Sequence, residues 1–278
     1  MGTDVHAVES NPSIVFGRMG HGYSRPMGGD DVSRHPSEVH RREALARFER
    51  IISEAEAQTP MALVEPLVVI SAAIQGLSLD IVDAVSAKLD AIAISVGSGD
   101  VAHIARRLFS EVNNGNPFVG NRLEYADPLN SFIDRVIERR RGIPISLSVV
   151  LIEVARRCGV EMVGVGMPAH FLTAVRPPSG ARPEVFVDAF NHGRVLDAGD
   201  CERLFHELVG AVQTFDHRFL APVSNSAIVE RTLNNLKAAY MQQGDVDRLR
   251  VVMTMRACLP GMARAERDEF RRLMAPLN

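Results

Sequence analysis

Tryptophan is absent from the 278 residues and aromatic side chains make up only 5% of them, so a surface that stacks bases or sugars has little raw material. Cysteine is scarce as well. Cys158, Cys201 and Cys258 are odd in number and widely spaced, which argues against a disulfide framework or a zinc knuckle and reads each as an inert small hydrophobe. No apolar run approaches the roughly 18 residues that a spanning helix requires, and no basic stretch followed by an apolar one opens the chain. The expectation is a cytoplasmic protein that does not engage a membrane. An excess of positive charge is also missing: 31 Lys and Arg stand against 34 Asp and Glu, a formal net charge of -3, which argues against nucleic acid as a partner. One basic run, Arg139-Arg140-Arg141, interrupts that balance. It reads as a helix end with solvated or ion-paired side chains, with a phosphate or partner site as the alternative.

What is present suits a globular fold. The apolar fraction is 46% and the charged fraction 23%, and the chain is long enough to bury a full core as one large domain or two modest ones. Residues 1 to 36, rich in Gly and Pro and without periodicity, read as a flexible leader in which only Ser13-Ile14-Val15-Phe16 is apolar enough to dock. Helical spacing starts at Ser37. Four helices are expected between 37 and 112, the second ending at Gly76 and the third running from Asp80 to Val96. The segment from Asn113 to Asn121 reads as a loop with Asx-type turns. A helix near Phe132, capped by Asn130 or Ser131, should stop at the Arg run because Gly142 and Pro144 break it.

The next helix, expected from Leu147 to Arg157 with Ser146 as its cap, is apolar on nearly every side and should be central and buried. Three strands follow: residues 162–166, residues 170–175 carrying His170, and residues 185–188 carrying Asp188. They are short enough to pair antiparallel, the last two through a turn at residues 177–180. Cys201 to Val209 reads as a helix. Residues 228–242 and a partner starting at Asp245 read as two helices around a Gly-Asp turn, like one unit of a helical repeat.

A helix N-terminus aimed at the same spot as a His and an Asp suits acyl chemistry, because its N–H groups stabilise developing negative charge and a carboxylate orients the imidazole. No cysteine lies at that helix start. Ser146 is the candidate nucleophile and Ser148 a weaker one. Their alternative roles are a helix cap and a buried hydroxyl bonded to the backbone. His170 is a general base or acid on one reading and a core histidine bonded to Asp188 on the other. Metal binding by His170, Asp188 and His192 lacks any supporting spacing, and no cofactor is expected; Asn191-His192-Gly193 reads more simply as a turn. Asn130 either caps a helix or holds its loop against the His170 region, and Glu138 reads as an ion-pair member.

Four segments together carry a resemblance. They are Asn121-Arg-Leu-Glu-Tyr-Ala-Asp-Pro-Leu-Asn-Ser131, Val136-Ile-Glu-Arg-Arg-Arg-Gly-Ile-Pro-Ile-Ser-Leu-Ser148, Gly164-Val-Gly-Met-Pro-Ala-His-Phe-Leu172 and Phe186-Val-Asp-Ala-Phe-Asn191. In this order they resemble the transglutaminase-like core family of SirB-type bacterial proteins, also found in a eukaryotic F-box protein. Leu233-Asn-Asn-Leu-Lys-Ala-Ala-Tyr-Met-Gln-Gln-Gly-Asp245 resembles that family's tetratricopeptide-like tail.

The resemblance implies an α+β fold: a papain/transglutaminase-like core at 121–220, an N-terminal helical lobe at 37–120 and a C-terminal helical hairpin at 221–278. It places His170 and Asp188 on the superfamily's His and Asp. The cysteine position falls within Pro144-Ile145-Ser146, where the SirB-type family is likewise without cysteine. Ala189 and His192 stand where that family more commonly shows Pro and Gly. Three readings follow: a protein that binds a peptide or protein segment in a degenerate catalytic cleft through His170, Asp188, Asn130, Ser148 and His192; an acyl-transfer, hydrolytic or other biosynthetic enzyme that uses His170 and Asp188, with or without Ser146, on a peptide, protein or small acyl substrate; or a regulatory adaptor that shares the binding mechanism.

Overall fold

Among the described residues, ten α-helices and seven short strands alternate in a mixed arrangement that follows the hydrophobic periodicity of the sequence. The structure, a computed structural model, describes residues 36–57, 61–110, 115–178 and 181–274, all within the unit Arg34–Asn278. Residues 1–35 of the expected leader, with Ser13–Phe16, lie outside the described residues, as do Val112, Asn113, Asn114 and the expected turn at Ser179 and Gly180.

The N-terminal helices are α1 (Pro36–Ala57), α2 (Val64–Gln75), α3 (Ile81–Val96) and α4 (Val101–Phe109). Helix α2 is buried from Pro66 to Ile74 and stops where Gly76 takes the left-handed conformation, φ +70°, that ends a helix without steric cost. Helix α5 (Ile133–Arg139) is followed by α6 (Pro144–Arg157), every residue of which is buried from Pro144 to Ala155. A sheet follows, built from β3 (Met162–Val165), β4 (Leu172–Val175), β5 (Phe186–Asp188), β6 (Arg194–Leu196) and, after helix α7 (Ala198–Val209), β7 (Pro222–Val223). Its order is β6-β5-β4-β3-β7 and every neighbouring pair is antiparallel. Three helices complete the chain: α8 (Asn225–Gln243), α9 (Val246–Ala257) and α10 (Ala263–Met274).

The sheet separates two cores because successive strand residues face opposite sides. Val163 and Val165 of β3, Leu172 and Ala174 of β4 and Phe186 of β5 join Cys201 and Phe205 of α7 in the smaller core. Met162 and Val187 face the larger one, which runs continuously through α1, α2, α6, α8 and α9. The helical lobe, the central helix and the C-terminal helices are therefore held by one shared apolar interior.

Several expectations are corrected. Helix α6 starts at Pro144 rather than Leu147, since proline's fixed φ and missing N–H suit the first helical position. Neither Asn130 nor Ser131 caps α5: Asn130 closes a 3-10 turn, Pro128–Asn130, whose cap is Asp127, and Phe132 precedes α5 without a side-chain cap. His170 lies two residues before β4 rather than on a strand. The loop before Asn121 contains a two-residue strand, β1 (Val119–Gly120), paired in parallel with β2 (Arg141–Gly142). The short β6 and β7 and the terminal α10 were not expected.

Candidate functional site

His170 is aimed by a tight turn. Its N–H donates to the Met167 carbonyl at 3.1 Å, closing a turn in which Pro168 precedes Ala169, and Ala169 has φ +60°. A positive φ at the third position is normally taken by glycine, so Ala169 holds a strained backbone immediately before the imidazole. Phe190 supports the ring from the side at 6.3 Å between centroids and 72° between planes. Its close approach depends on Gly120, where a Cβ would stand 2.7 Å from the Phe190 ring.

Asp188 ends β5 and organises the turn after it. Oδ1 accepts from the backbone N–H groups of Phe190 and Asn191, each at 3.1 Å, and Oδ2 accepts from Asn191 Nδ2 at 2.5 Å. His170 Nε2 lies 3.0 Å from Oδ1, and the two residues are only 5% and 1% exposed. The contact falls outside the in-line geometry of a regular hydrogen bond. Burial raises the Asp188 carboxyl, but His170 and the Asn191 donors outweigh burial and hold it below the usual carboxylate range.

A cleft of about 30 Å³ opens beside His170, lined by Ile143, Pro144 and Ile145 at the start of α6, by Tyr125, and by Arg231 and Asn235 of α8. That is room for roughly two water-sized groups. Tyr125 reaches it because two asparagines brace its loop: Asn121 Nδ2 donates to Asn130 Oδ1 at 3.0 Å, and Asn130 Nδ2 donates to the carbonyl of Glu124 at 2.7 Å. Arg231 Nη2 donates to the His170 carbonyl at 3.0 Å, and its guanidinium lies 5.4 Å from the Phe171 ring centroid.

The expected site residues separate. His170 and Asp188 are together, and Asn130 stands behind the cleft as the brace of the Tyr125 loop. Ser146, 2% exposed, is not among the lining residues. Its hydroxyl donates to the Asn130 carbonyl at 2.6 Å and accepts from the Ile143 N–H at 3.1 Å, which ties the start of α6 to the Asn130 turn. Ser148 is fully buried, and its hydroxyl has no hydrogen-bond partner rather than a backbone one. His192 is exposed with φ +62°, so the unusual angle is shared with Gly193, and it lines a different, shallow groove with Arg106 and Arg194.

Of the basic run, Arg139 pairs with Asp127 at 2.8 Å, Arg140 lies 4.4 Å over the Phe118 ring, and Arg141 is exposed. Glu138 pairs with Arg135 at 3.0 Å. The sequence reading missed Tyr125, Arg231 and Asn235. Tyr125 and Asn235 lay within segments that carried the family resemblance, whereas nothing local to Arg231 marks it.

The model of the transglutaminase-like superfamily matches residues 70–234, which include α6, β3 to β7 and the cleft residues other than Asn235. Among curated relatives, a UPF0162 protein of Xylella fastidiosa is 41% identical over 160 residues, 56% of this chain and 54% of that protein. A UPF0162 protein of Vibrio cholerae is 32% identical over 126 residues, 45% of this chain and 46% of its own length. Mouse F-box only protein 21 is 33% identical over 132 residues, 46% of this chain and 20% of that protein. The chain thus spans about half the length of these bacterial relatives and a fifth of the F-box protein. No solved structure matches. Among the described residues, no helix is long and apolar enough to cross a membrane.

Proposed function

The chain belongs to the transglutaminase-like superfamily, and we propose that within it the protein is a recognition module that holds a peptide or protein segment at the cleft beside His170 rather than a cysteine- or serine-type acyl enzyme. One observation carries this reading. The α6 residues that line the cleft beside His170 are Pro144 and Ile145, while the serine hydroxyl at that helix start, that of Ser146, is held by Asn130 and Ile143. The cleft lining holds no serine or cysteine for the imidazole to activate, and burial raises the Tyr125 phenol, which makes it a poor nucleophile. Tyr125, half exposed at the rim, and the face of α8 offer the apolar and polar contacts a bound segment needs. On this reading the protein is a cytoplasmic, SirB-type member of the superfamily, and α8 with α9 is a tetratricopeptide-like pair that extends the surface.

The test has two parts. A serine-reactive acyl probe is expected to leave Ser146 unlabelled; labelling of the wild type that disappears in Ser146→Ala would overturn the non-catalytic reading. An array of acetylated peptides incubated with the full chain is expected to give binders whose affinity drops in Tyr125→Ala with helicity unchanged. Binders indifferent to Tyr125→Ala would move recognition away from the cleft.

The paired His170 and Asp188 favour a second reading, a hydrolytic, acyl-transfer or biosynthetic enzyme in which His170 activates a water or an acceptor held in the cleft. Turnover abolished by His170→Gln would support it.

A further inference from the structure

Arg231 is the anomaly of the cleft. It sits on α8, half-buried, with its guanidinium against Phe171 and one donor bonded to the His170 carbonyl. Among the described residues, no carboxylate lies within ion-pair distance of it. Burial pulls its pKa below the usual arginine value, opposed only by Tyr125. Buried arginines are rarely left without a counter-charge, because a desolvated cation is costly unless paired. One turn further along the same helix, Asn235 also lines the cleft.

The opposite wall has the same polarity. Pro144 has no N–H, and among the described residues the Ile145 N–H, in the first turn of the fourteen-residue α6, makes no backbone hydrogen bond. The positive end of that helix and the Ile145 N–H therefore border the cleft. His170, 5% exposed, lines the same space. Its Nε2 faces Asp188 without a regular hydrogen bond, which leaves the Nδ1 edge of the ring on the side away from that carboxylate. No Asp or Glu lines the space. Cation, helix terminus, amide and imidazole converge on a volume of about 30 Å³, too small for a residue but suited to the oxygens of one end group.

Resting on the reading that the cleft holds a peptide segment, we propose that the group it takes is a carboxylate, clamped between Arg231 and the start of α6. The bound segment is then anchored either by its C-terminal carboxylate or by a Glu or Asp side chain. Both sources present the same planar pair of oxygens, which the guanidinium fork fits better than a lysine ammonium.

The experiment uses the full chain, isotope-labelled for NMR, and three N-acetylated tripeptide probes: Ala-Ala-Gly as the free acid, the same peptide as its C-terminal amide, and Ala-Glu-Gly amide. The free acid is expected to shift the Ile145 and Ser146 amide signals and the His170 ring signals, and the C-terminal amide is not. Comparison with the Glu-containing amide assigns the source of the carboxylate. Arg231→Gln should weaken binding roughly tenfold or more, and Arg231→Lys should weaken it less.

Equal binding of acid and amide at the cleft would overturn the carboxylate inference while leaving the peptide-cleft reading intact. So would wild-type affinity in Arg231→Gln, with the fold of that variant verified by its amide spectrum. No cleft shift with any probe at millimolar concentration would overturn both.

Discussion

Replacing Ser146 by alanine separates a hydroxyl that builds the site from one that does chemistry. The wild-type hydroxyl donates to the Asn130 carbonyl at 2.6 Å and accepts from the Ile143 N–H at 3.1 Å, and both partner residues are buried. Alanine fills neither role and leaves a carbonyl and an amide desolvated, each an unsatisfied group costing about 1–3 kcal/mol. A loss of about 2–4 kcal/mol is expected, lowering the unfolding midpoint by roughly 4–10 °C in a domain of this size.

A second substitution sharpens the test. A Cβ on Gly142 would stand 2.6 Å from Ser146 Oγ but 3.2 Å from Leu147 Cγ and Val136 Cγ1, so the serine oxygen is the main obstacle. Gly142→Ala alone should cost about 1–3 kcal/mol through overpacking. With Ser146→Ala already present, the worst contact is gone, and the double variant should be more stable than the sum of the singles by about 1 kcal/mol or more. Urea unfolding followed by far-UV circular dichroism suits a chain without tryptophan. A Ser146→Ala variant as stable as wild type, or a strictly additive cycle, would refute the structural role of this hydroxyl.

Ser148→Ala should behave oppositely: removing a buried hydroxyl without a partner is expected to be neutral or stabilising by up to about 1 kcal/mol, and a clear loss in the same urea assay would mean that Ser148 makes a stabilising bond. Asp188→Asn tests the sign of the linkage. Because the folded carboxyl is held below its ordinary range, its stabilisation is complete above the unfolded value and is lost as pH falls through the lowered folded value. The stability gap between wild type and Asp188→Asn should therefore close on acidification, and a gap that widens would contradict the pairing. Cys201 carries a thiol pushed up to about 12, chiefly by burial and then by Asp200, Asp197 and Asp188. Ellman's reagent near neutral pH should not modify it until denaturant is added, as checked by mass mapping.

Periodicity made the helices legible because amphipathic and all-apolar stripes have a physical cause that acts within one segment. Gly76 and Gly244 could be read as stops for the same reason, and both are left-handed. The start of α6 was misplaced by three residues although Pro144 itself carries the signal, a proline fitting the first helical position. His170 was placed on a strand because Phe171 to Val175 reads as one; the Pro168-Ala169 turn ends the extended run before β4 begins. Two-residue strands such as β1, β2 and β7 have no alternation to read, and they exist only because a partner supplies their hydrogen bonds. Arg231 was invisible for a stronger reason. It meets His170 from 61 positions away, and its lack of a counter-charge is a property of the assembled cleft.

The pairing of His170 with Asp188 is weak grounds for catalysis by itself, since Asp188 has a second task that does not involve the imidazole. Its oxygens receive the N–H groups of Phe190 and Asn191 and the Asn191 side chain, and so fix the turn that puts Phe190 against the His170 ring. That turn would need the carboxylate even if no proton were ever transferred. The informative side of the imidazole is the one facing away from Asp188, where an acyl enzyme requires a nucleophile. There the cleft offers proline, isoleucine, the Ile145 N–H, the Tyr125 phenol and an arginine without a partner charge among the described residues. Such a set suits negative charge already present on a ligand, and burial raises the Tyr125 phenol, which makes it a poor nucleophile. On the proposed reading the same geometry serves anchoring of a carboxylate rather than bond cleavage, and the two proposals stand or fall on Arg231 and Ser146 separately.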